Sequence, residues 1–268
     1  MEKRSTVDNT MILFDRVTKT YETGQKALDD VSIQIEKGEF VFLVGNSGAG
    51  KTTLLELILR ETEADQGNIV VNGIDLRQLK ERQVCRYRRY IGMVFQDFCL
   101  FPDFTVYENV AFAQRVIEAD HKRMRNRVME VLSQVGLEKK AGCYPGQLSG
   151  GMAQRVSLVR SLINEPDILL LDEPLGALDA FTRMNMQDEI LKVWQEKKQL
   201  AIMVTHDVDE AIYMGTRVIV MDAHPGRVVS DIKIDQAYPR ERSSQTFVAC
   251  RNEILNRLHF GGKNRGQQ

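Results

Sequence analysis

Gly45-Asn46-Ser47-Gly48-Ala49-Gly50-Lys51-Thr52 decides how this 268-residue chain is read. Its spacing is G-x-x-x-x-G-K-[ST], the pattern of a loop that cradles phosphate. Phe40 to Val44, just before it, is a short run of aromatic and branched residues of the kind found in a buried strand. Thr53 to Leu59, just after it, reads as a helix. The glycines let backbone N–H groups turn inward around phosphate oxygens. The start of the helix adds unpaired donors and the positive end of its dipole. Lys51 is placed to reach β- and γ-phosphates, and the Thr52 hydroxyl to ligate Mg²⁺. A chance glycine-rich turn would not need the strand and helix that flank it. The stretch predicts a site for a nucleoside triphosphate.

Working outward, the first third of the chain reads as strands: Met11 to Val17, Val31 to Ile35, Phe40 to Val44, and Asn68 to Val71 between Gly67 and Gly73. From Val106 to Val135 the apolar residues change to helical spacing, with Val128, Val131, Leu132 and Val135 on one face. After Gly150 the elements alternate. A helix to Asn164 precedes the strand Ile168 to Leu171, and a helix from Ala180 to Lys197 precedes Ala201 to Val204. A shorter helix, Val208 to Met214, precedes Val218 to Met221. Alternation of this kind predicts an α/β fold with a parallel sheet covered by helices. A mainly helical insert is expected at about 98–149, and residues 261–268, polar and glycine-containing, are expected to fray.

Composition narrows the class without naming it. With 43% hydrophobic and 27% charged residues the chain is long enough to bury a core. A net charge of -1 gives no reason to expect nucleic acid or anionic lipid as a partner through bulk charge. No stretch approaches the roughly 20 apolar residues of a membrane span, and the charged stretch Met1 to Asp8 is not expected to be a signal peptide. Cys85, Cys99, Cys143 and Cys250 lie too far apart to suggest a zinc site or a disulfide framework, and are expected to be reduced.

Phosphoryl transfer needs a metal-positioning carboxylate and a group to orient water. Asp172 and Glu173 end the apolar run Ile168 to Leu171, where sites in α/β proteins usually lie. Asp172 is expected in the Mg²⁺ shell and Glu173 as acceptor of the proton of an attacking water. An acidic turn before Pro174 is the plainer alternative for the pair taken alone. Gln96, after the run Ile91 to Phe95, has an amide suited to Mg²⁺ or water, although a glutamine at a strand end is more often plain surface. His206, after Ala201 to Thr205, is suited to a hydrogen bond with a γ-phosphate, although a lone histidine is more often structural.

Leu148-Ser149-Gly150-Gly151-Met152-Ala153-Gln154 resembles the signature motif of ATP-binding cassette (ABC) ATPases. The phosphate loop, Gln96, Asp172-Glu173, Ala177-Leu178-Asp179 and His206 stand around it in that family's order, and the resemblance covers about residues 11–235. It implies a P-loop NTPase of the ABC type, a RecA-like core carrying an antiparallel β subdomain and a helical subdomain. Residues 236–268 form a C-terminal extension. It also implies an ATPase that acts as a homodimer with an integral membrane permease, and through it with a substrate-binding protein. Such a subunit is peripheral on the cytoplasmic face of the cell membrane.

In this family two chains sandwich two ATP molecules. Residues Gly45 to Thr53 of one chain hold the phosphates, while Ser149, Gly150, Gly151 and Asp179 approach from the other. Ser149 sits where a helix cap would, and the two glycines behind it expose backbone donors to an anion. Tyr21 resembles the aromatic residue that stacks on adenine, an interaction worth about 1–3 kcal/mol per base, with an ordinary core or surface tyrosine as the alternative.

Two branches of the family compete. Residues 87–98 and 105–112 resemble the cell-division ATPase that partners a septal membrane protein. Residues 172–183, Glu210 to Gly215 and Asp222 to Val228 resemble ATPases of nitrate, sulfonate and taurine importers, which also carry an extension such as the one after Pro239. The importer is the favoured expectation, and the transported substrate is not readable from this subunit.

Overall fold

The computed structural model describes residues 9–263. They divide into two compact units, one from the described parts of Met1–Val84 and Trp194–Gln268, the other Cys85–Val193. The boundary expected near residue 235 falls within the second stretch of the first unit.

In the first unit, β1 (Thr10–Thr20), β2 (Lys26–Glu36), β4 (Gln66–Val71) and β5 (Ile74–Asp75) make an antiparallel sheet in the order β2-β1-β4-β5. β2 shows the two-residue period of a half-buried strand. Val31, Ile33 and Ile35 are buried while Ser32, Gln34 and Glu36 are exposed. These apolar residues pair with Val17, Phe14 and Ile12 of β1, so both strands put one apolar face into the core.

The second sheet of this unit holds β3 (Phe40–Gly45), β8 (Leu200–Thr205), β9 (Arg217–Asp222) and β10 (Arg227–Lys233), in the order β10-β9-β3-β8. β3 runs parallel to β8 and β9, while β10 closes the edge antiparallel to β9. Every residue of β3 and β8 is buried, which is why both read as unbroken apolar runs rather than alternating ones. α1 (Lys51–Ile58) follows β3, α7 (Val208–Met214) follows β8, and α8 (Gln245–Lys263) packs on α7 and β9. The expected C-terminal extension is therefore part of this unit. Residues 261–263, expected to fray, continue α8, and 264–268 lie outside the described residues.

The second unit contains β6 (Ile91–Val94) and β7 (Ile168–Asp172), paired parallel, with α3 (Val106–Val116), α4 (His121–Gln134) and α5 (Gly150–Leu162). Two single 3₁₀ turns, Glu138–Lys140 and Pro145–Gln147, lead from α4 to α5. The three helices share a core in which Val106, Val110, Val128, Leu132, Val156 and Val159 are buried. Two further helices lie at the unit boundaries in sequence, α2 (Glu81–Tyr87) and α6 (Ala180–Lys197).

One buried polar side chain organises the loop before α3. Asn109 is 0% exposed, and its amide donates to the carbonyls of Phe101 (3.1 Å), Phe104 (3.0 Å) and Thr105 (3.1 Å). Its Oδ1 accepts from Phe101 N–H at 2.8 Å. Asn109→Leu removes these partners and leaves loop carbonyls unpaired in the interior. We expect it to lower the unfolding free energy by about 2–4 kcal/mol, measured by urea denaturation.

Candidate functional site

β3 ends at Gly45, and the chain then turns through Gly48 (φ 80°) and Gly50 (φ 79°) into α1. A side chain at Gly50 has no room: a Cβ there would stand 2.5 Å from Leu28 Cδ2 and 2.6 Å from the Ala27 carbonyl. Lys51, 7% exposed, bends its ammonium back over the loop and donates to the carbonyls of Gly45 (2.8 Å) and Asn46 (3.0 Å). A buried cation held against the glycine loop by its carbonyls is an electrostatic setting that suits an oligophosphate.

Tyr21 stands beside the same helix. Its hydroxyl lies 3.0 Å from Thr53 Oγ1 and donates to Glu56 Oε2 at 2.6 Å. Burial, and then the bond to Glu56, raises its pKa above the ordinary phenol value. Tyr21 as a whole is 37% exposed, which leaves it within reach of a flat base. His206 directly follows β8, two positions before α7. Tyr21, Gly45 to Thr53 and His206 thus all belong to the first unit.

Gln96, Asp172, Glu173, Ser149, Gly150, Gly151 and Asp179 belong to the second. Val94 of β6 pairs with Leu171 of β7, so Gln96 and Asp172 leave the same carboxyl end of the parallel pair. Glu173 takes φ 43°, a left-handed conformation that costs a non-glycine residue about 1–2 kcal/mol. Its carbonyl accepts from Gly176 N–H at 3.2 Å, which closes the turn toward Asp179. Strain at a side chain expected to meet water points to a position selected for placement rather than stability.

Asp179 precedes α6 and accepts from Thr182 N–H at 3.1 Å. The Thr182 side chain and then its backbone hold this carboxyl below the ordinary carboxylate value. A lowered folded pKa stabilises above the unfolded value and is lost as pH falls through the folded one, so this turn outlasts ordinary carboxylates on acidification. Ser149 caps α5, accepting from Met152 N–H at 3.4 Å. A Cβ at Gly151 would stand 2.6 Å from Thr182 Cγ2, and one at Gly150 3.7 Å from Leu178 Cδ2. The signature glycines and the Asp179 turn are therefore neighbours, a proximity that their separation in sequence hides.

The structure adds a contact that motif reading passed over. His224-Pro225-Gly226, between β9 and β10, lies against the phosphate loop. A Cβ at Gly48 would meet His224 Cε1 at 2.9 Å, and one at Gly226 would meet the Ala49 carbonyl at 2.6 Å. The Pro-Gly pair announces a turn, but no local signal says which loop that turn covers.

A parallel strand, a glycine loop with a buried lysine, and a helix that begins in that loop define a P-loop nucleotide-binding protein. The sequence pattern of the ABC transporter family matches residues 28–176, more than half of the chain, and the chain belongs to that family as an ATP-binding subunit. It is an ATPase coupled to transport.

An aliphatic sulfonates import ATP-binding protein, SsuB, from Bacillus cereus is 38% identical over 256 residues, covering 96% of each chain. The cell division ATP-binding protein FtsE of Bacillus subtilis is 44% identical over 224 residues, 82% of this chain and 96% of FtsE. Among solved structures, the dimeric post-hydrolysis state of the ATP-binding cassette MJ0796 bound to ADP and Pi is similar, with a TM-score of 0.76 and 34% identity. It covers 85% of this chain and 100% of that one. Among the described residues no helix is long and apolar enough to cross a membrane.

Gly50→Ala is the sharpest test of the loop geometry, because it adds one methyl where φ is left-handed and carbonyl and methyl groups already close the space. Nucleotide affinity in equilibrium dialysis is expected to fall more than about tenfold, with about 1–3 kcal/mol of stability lost to the forced rearrangement.

Proposed function

We propose that this chain energises import of a small anion of the sulfonate, nitrate or taurine class through a membrane permease fed by a substrate-binding protein. The observation that carries this reading is coverage. The sulfonate-import relative matches 96% of the chain, so it takes in part of the segment 236–268, whose α8 packs on α7. The FtsE match leaves nearly a fifth of the chain without a counterpart. Cell-division activity with a septal membrane protein is the second reading, favoured by the higher identity of FtsE over the region it shares.

In this reading two copies face each other across two ATP molecules on the cytoplasmic side of the membrane. Tyr21 stacks on adenine, Gly45 to Thr53 wrap the phosphates, and Ser149, Gly150, Gly151 and Asp179 of the second copy complete the site. Thr52 hydroxyl, Gln96 amide and Asp172 carboxylate are hard oxygen donors, the set that suits Mg²⁺ and not a softer metal. Bound there, the ion would neutralise phosphate charge.

The remaining chemistry belongs to the chain. Lys51 offsets charge on the transferred phosphoryl group, Glu173 accepts the proton of the attacking water, and His206 donates to the γ-phosphate. Contacts to the γ-phosphate exist on both copies only when the pair is closed. Driving closure from 1:99 to 99:1 takes about 5.5 kcal/mol of preference. A few charge-assisted hydrogen bonds at roughly 1.5–3 kcal/mol each suffice.

Glu173→Gln removes the base while keeping size and shape. Steady-state hydrolysis is expected to fall about 10²-fold or more, while ATP-dependent dimerisation on size exclusion persists. Wild-type hydrolysis by this variant would remove Glu173 from the role. For the physiological reading, deletion of the gene is expected to abolish growth on an alkanesulfonate, taurine or nitrate as sole source of sulfur or nitrogen, with normal cell length. Filamentous cells that still grow on all three would establish the division reading instead.

A further inference from the structure

The helix that follows His206 is held by the far end of the chain. α7 has seven residues, too few to be stable by itself. At its start Asp207 accepts from the N–H groups of Asp209 (2.9 Å) and Glu210 (3.2 Å). The Asp207 N–H itself donates to Thr205 Oγ1 at 3.1 Å, so a hydrogen bond that spans His206 ties strand end to helix start.

At its other end the last carbonyls of α7 have no partners within the helix. Arg240, 6% exposed, supplies them: Nη1 donates to Ile212 O at 2.5 Å and Gly215 O at 2.6 Å, while Nε donates to Gln236 O at 2.9 Å. The Tyr238 hydroxyl donates to Met214 O at 2.6 Å.

Two more contacts grip the helix along its length. The Arg242 guanidinium lies 4.0 Å from the centre of the Tyr213 ring. Arg251 of α8 forks onto Asp209, with Nη2 donating to Oδ2 at 2.6 Å and Nε bonded to Oδ1. α8 is anchored in turn by Phe247 and Ile254, both wholly buried. The partners on α7 and its turn are carbonyls, a carboxylate and a ring, while Arg240 also bonds the carbonyls of Gln236 and Ile234 beside its own segment.

We propose that the segment from Tyr238 to Ile254 is a positioning clamp for His206, with Arg240 and Arg251 as positioning residues that act through α7. The inference rests on the reading of His206 as the γ-phosphate donor. Fixing α7 at both ends fixes the direction in which the chain leaves β8, and with it the imidazole. The clamp acts on turnover and not on nucleotide affinity, because phosphate loop and Tyr21 are carried by β3, α1 and the turn after β1. Displacements near 1 Å at a reacting group can cost about 10²-fold in rate. A partly exposed ion pair contributes little to global stability, so Arg251 separates the two roles.

Arg240→Met strips donors from buried carbonyls and destabilises the fold itself, so Arg251→Gln in the full chain is the primary variant. Its kcat for ATP is expected to fall about three- to tenfold, with KM for ATP and the thermal midpoint unchanged. Arg251→Lys, and the exchange Arg251→Asp with Asp209→Arg, are expected to recover most of the rate. Amide exchange at residues 205–214 is expected to speed up in Arg251→Gln, while the phosphate loop exchanges as before.

His206→Ala is measured alongside. If it hydrolyses ATP at the wild-type rate, the reading of His206 fails and takes the clamp with it. If His206→Ala loses turnover but Arg251→Gln keeps it, or exchange at 205–214 is unchanged, the clamp alone is overturned. A fall in rate that tracks a lowered thermal midpoint and is not rescued by Arg251→Lys is the result of a purely structural grip, and overturns it too.

Discussion

The loop from Gly45 to Gly50 depends on backbones that approach closer than any side chain allows. At Gly45 a Cβ would stand 2.5 Å from the Met221 carbonyl, and at Gly50 2.6 Å from that of Ala27. Gly226 completes the arrangement, its N–H donating to Ala27 O at 3.0 Å while its own carbonyl accepts from Asp29 N–H at 2.9 Å. Strand end, β2 and the β9–β10 turn thus fix the loop from outside, alongside the bond from Ala49 N–H to Asn46 O within it. The rest of the first unit can be understood as support for this contact: buried β3 and β8 beneath it, α1 leading away, and β10 closing the edge.

The second unit solves a different problem, holding short polar turns at fixed places. Asn109 ties down the loop before α3, Glu173 accepts a left-handed φ, and Asp179 and Ser149 each begin a helix. Close packing between Gly151 and Thr182 holds two of these turns against each other. Rigid placement of polar groups on helix starts suits contacts with an anion that arrives from outside the chain.

Legibility in the sequence followed the strength of local patterns. Val31 to Ile35 was read as a strand but β2 runs over Lys26–Glu36, whereas α6 and α7 have the bounds the sequence reading gives, Ala180–Lys197 and Val208–Met214. α2 was missed because only Val84 and Tyr87 are buried in a charged run. β5 has two residues, and β10 is an edge strand whose alternate residues are only half-buried. At the site, spacing pointed to the loop, while the carboxylates taken alone left an acidic turn as open an alternative. The cover that His224 gives the loop and the hold of Arg251 on Asp209 join residues far apart in the chain, and no local chemistry encodes them.

The first unit is assembled from both ends of the chain, and this has a consequence for synthesis on the ribosome. β3 is made early, but its sheet partners β8 and β9 begin at Leu200 and Arg217. Residues 85–193 are continuous and emerge whole before either partner exists. The nascent chain therefore carries its phosphate loop on an apolar strand whose sheet partners β8 and β9 are made only late in translation, a delay that exposes apolar surface.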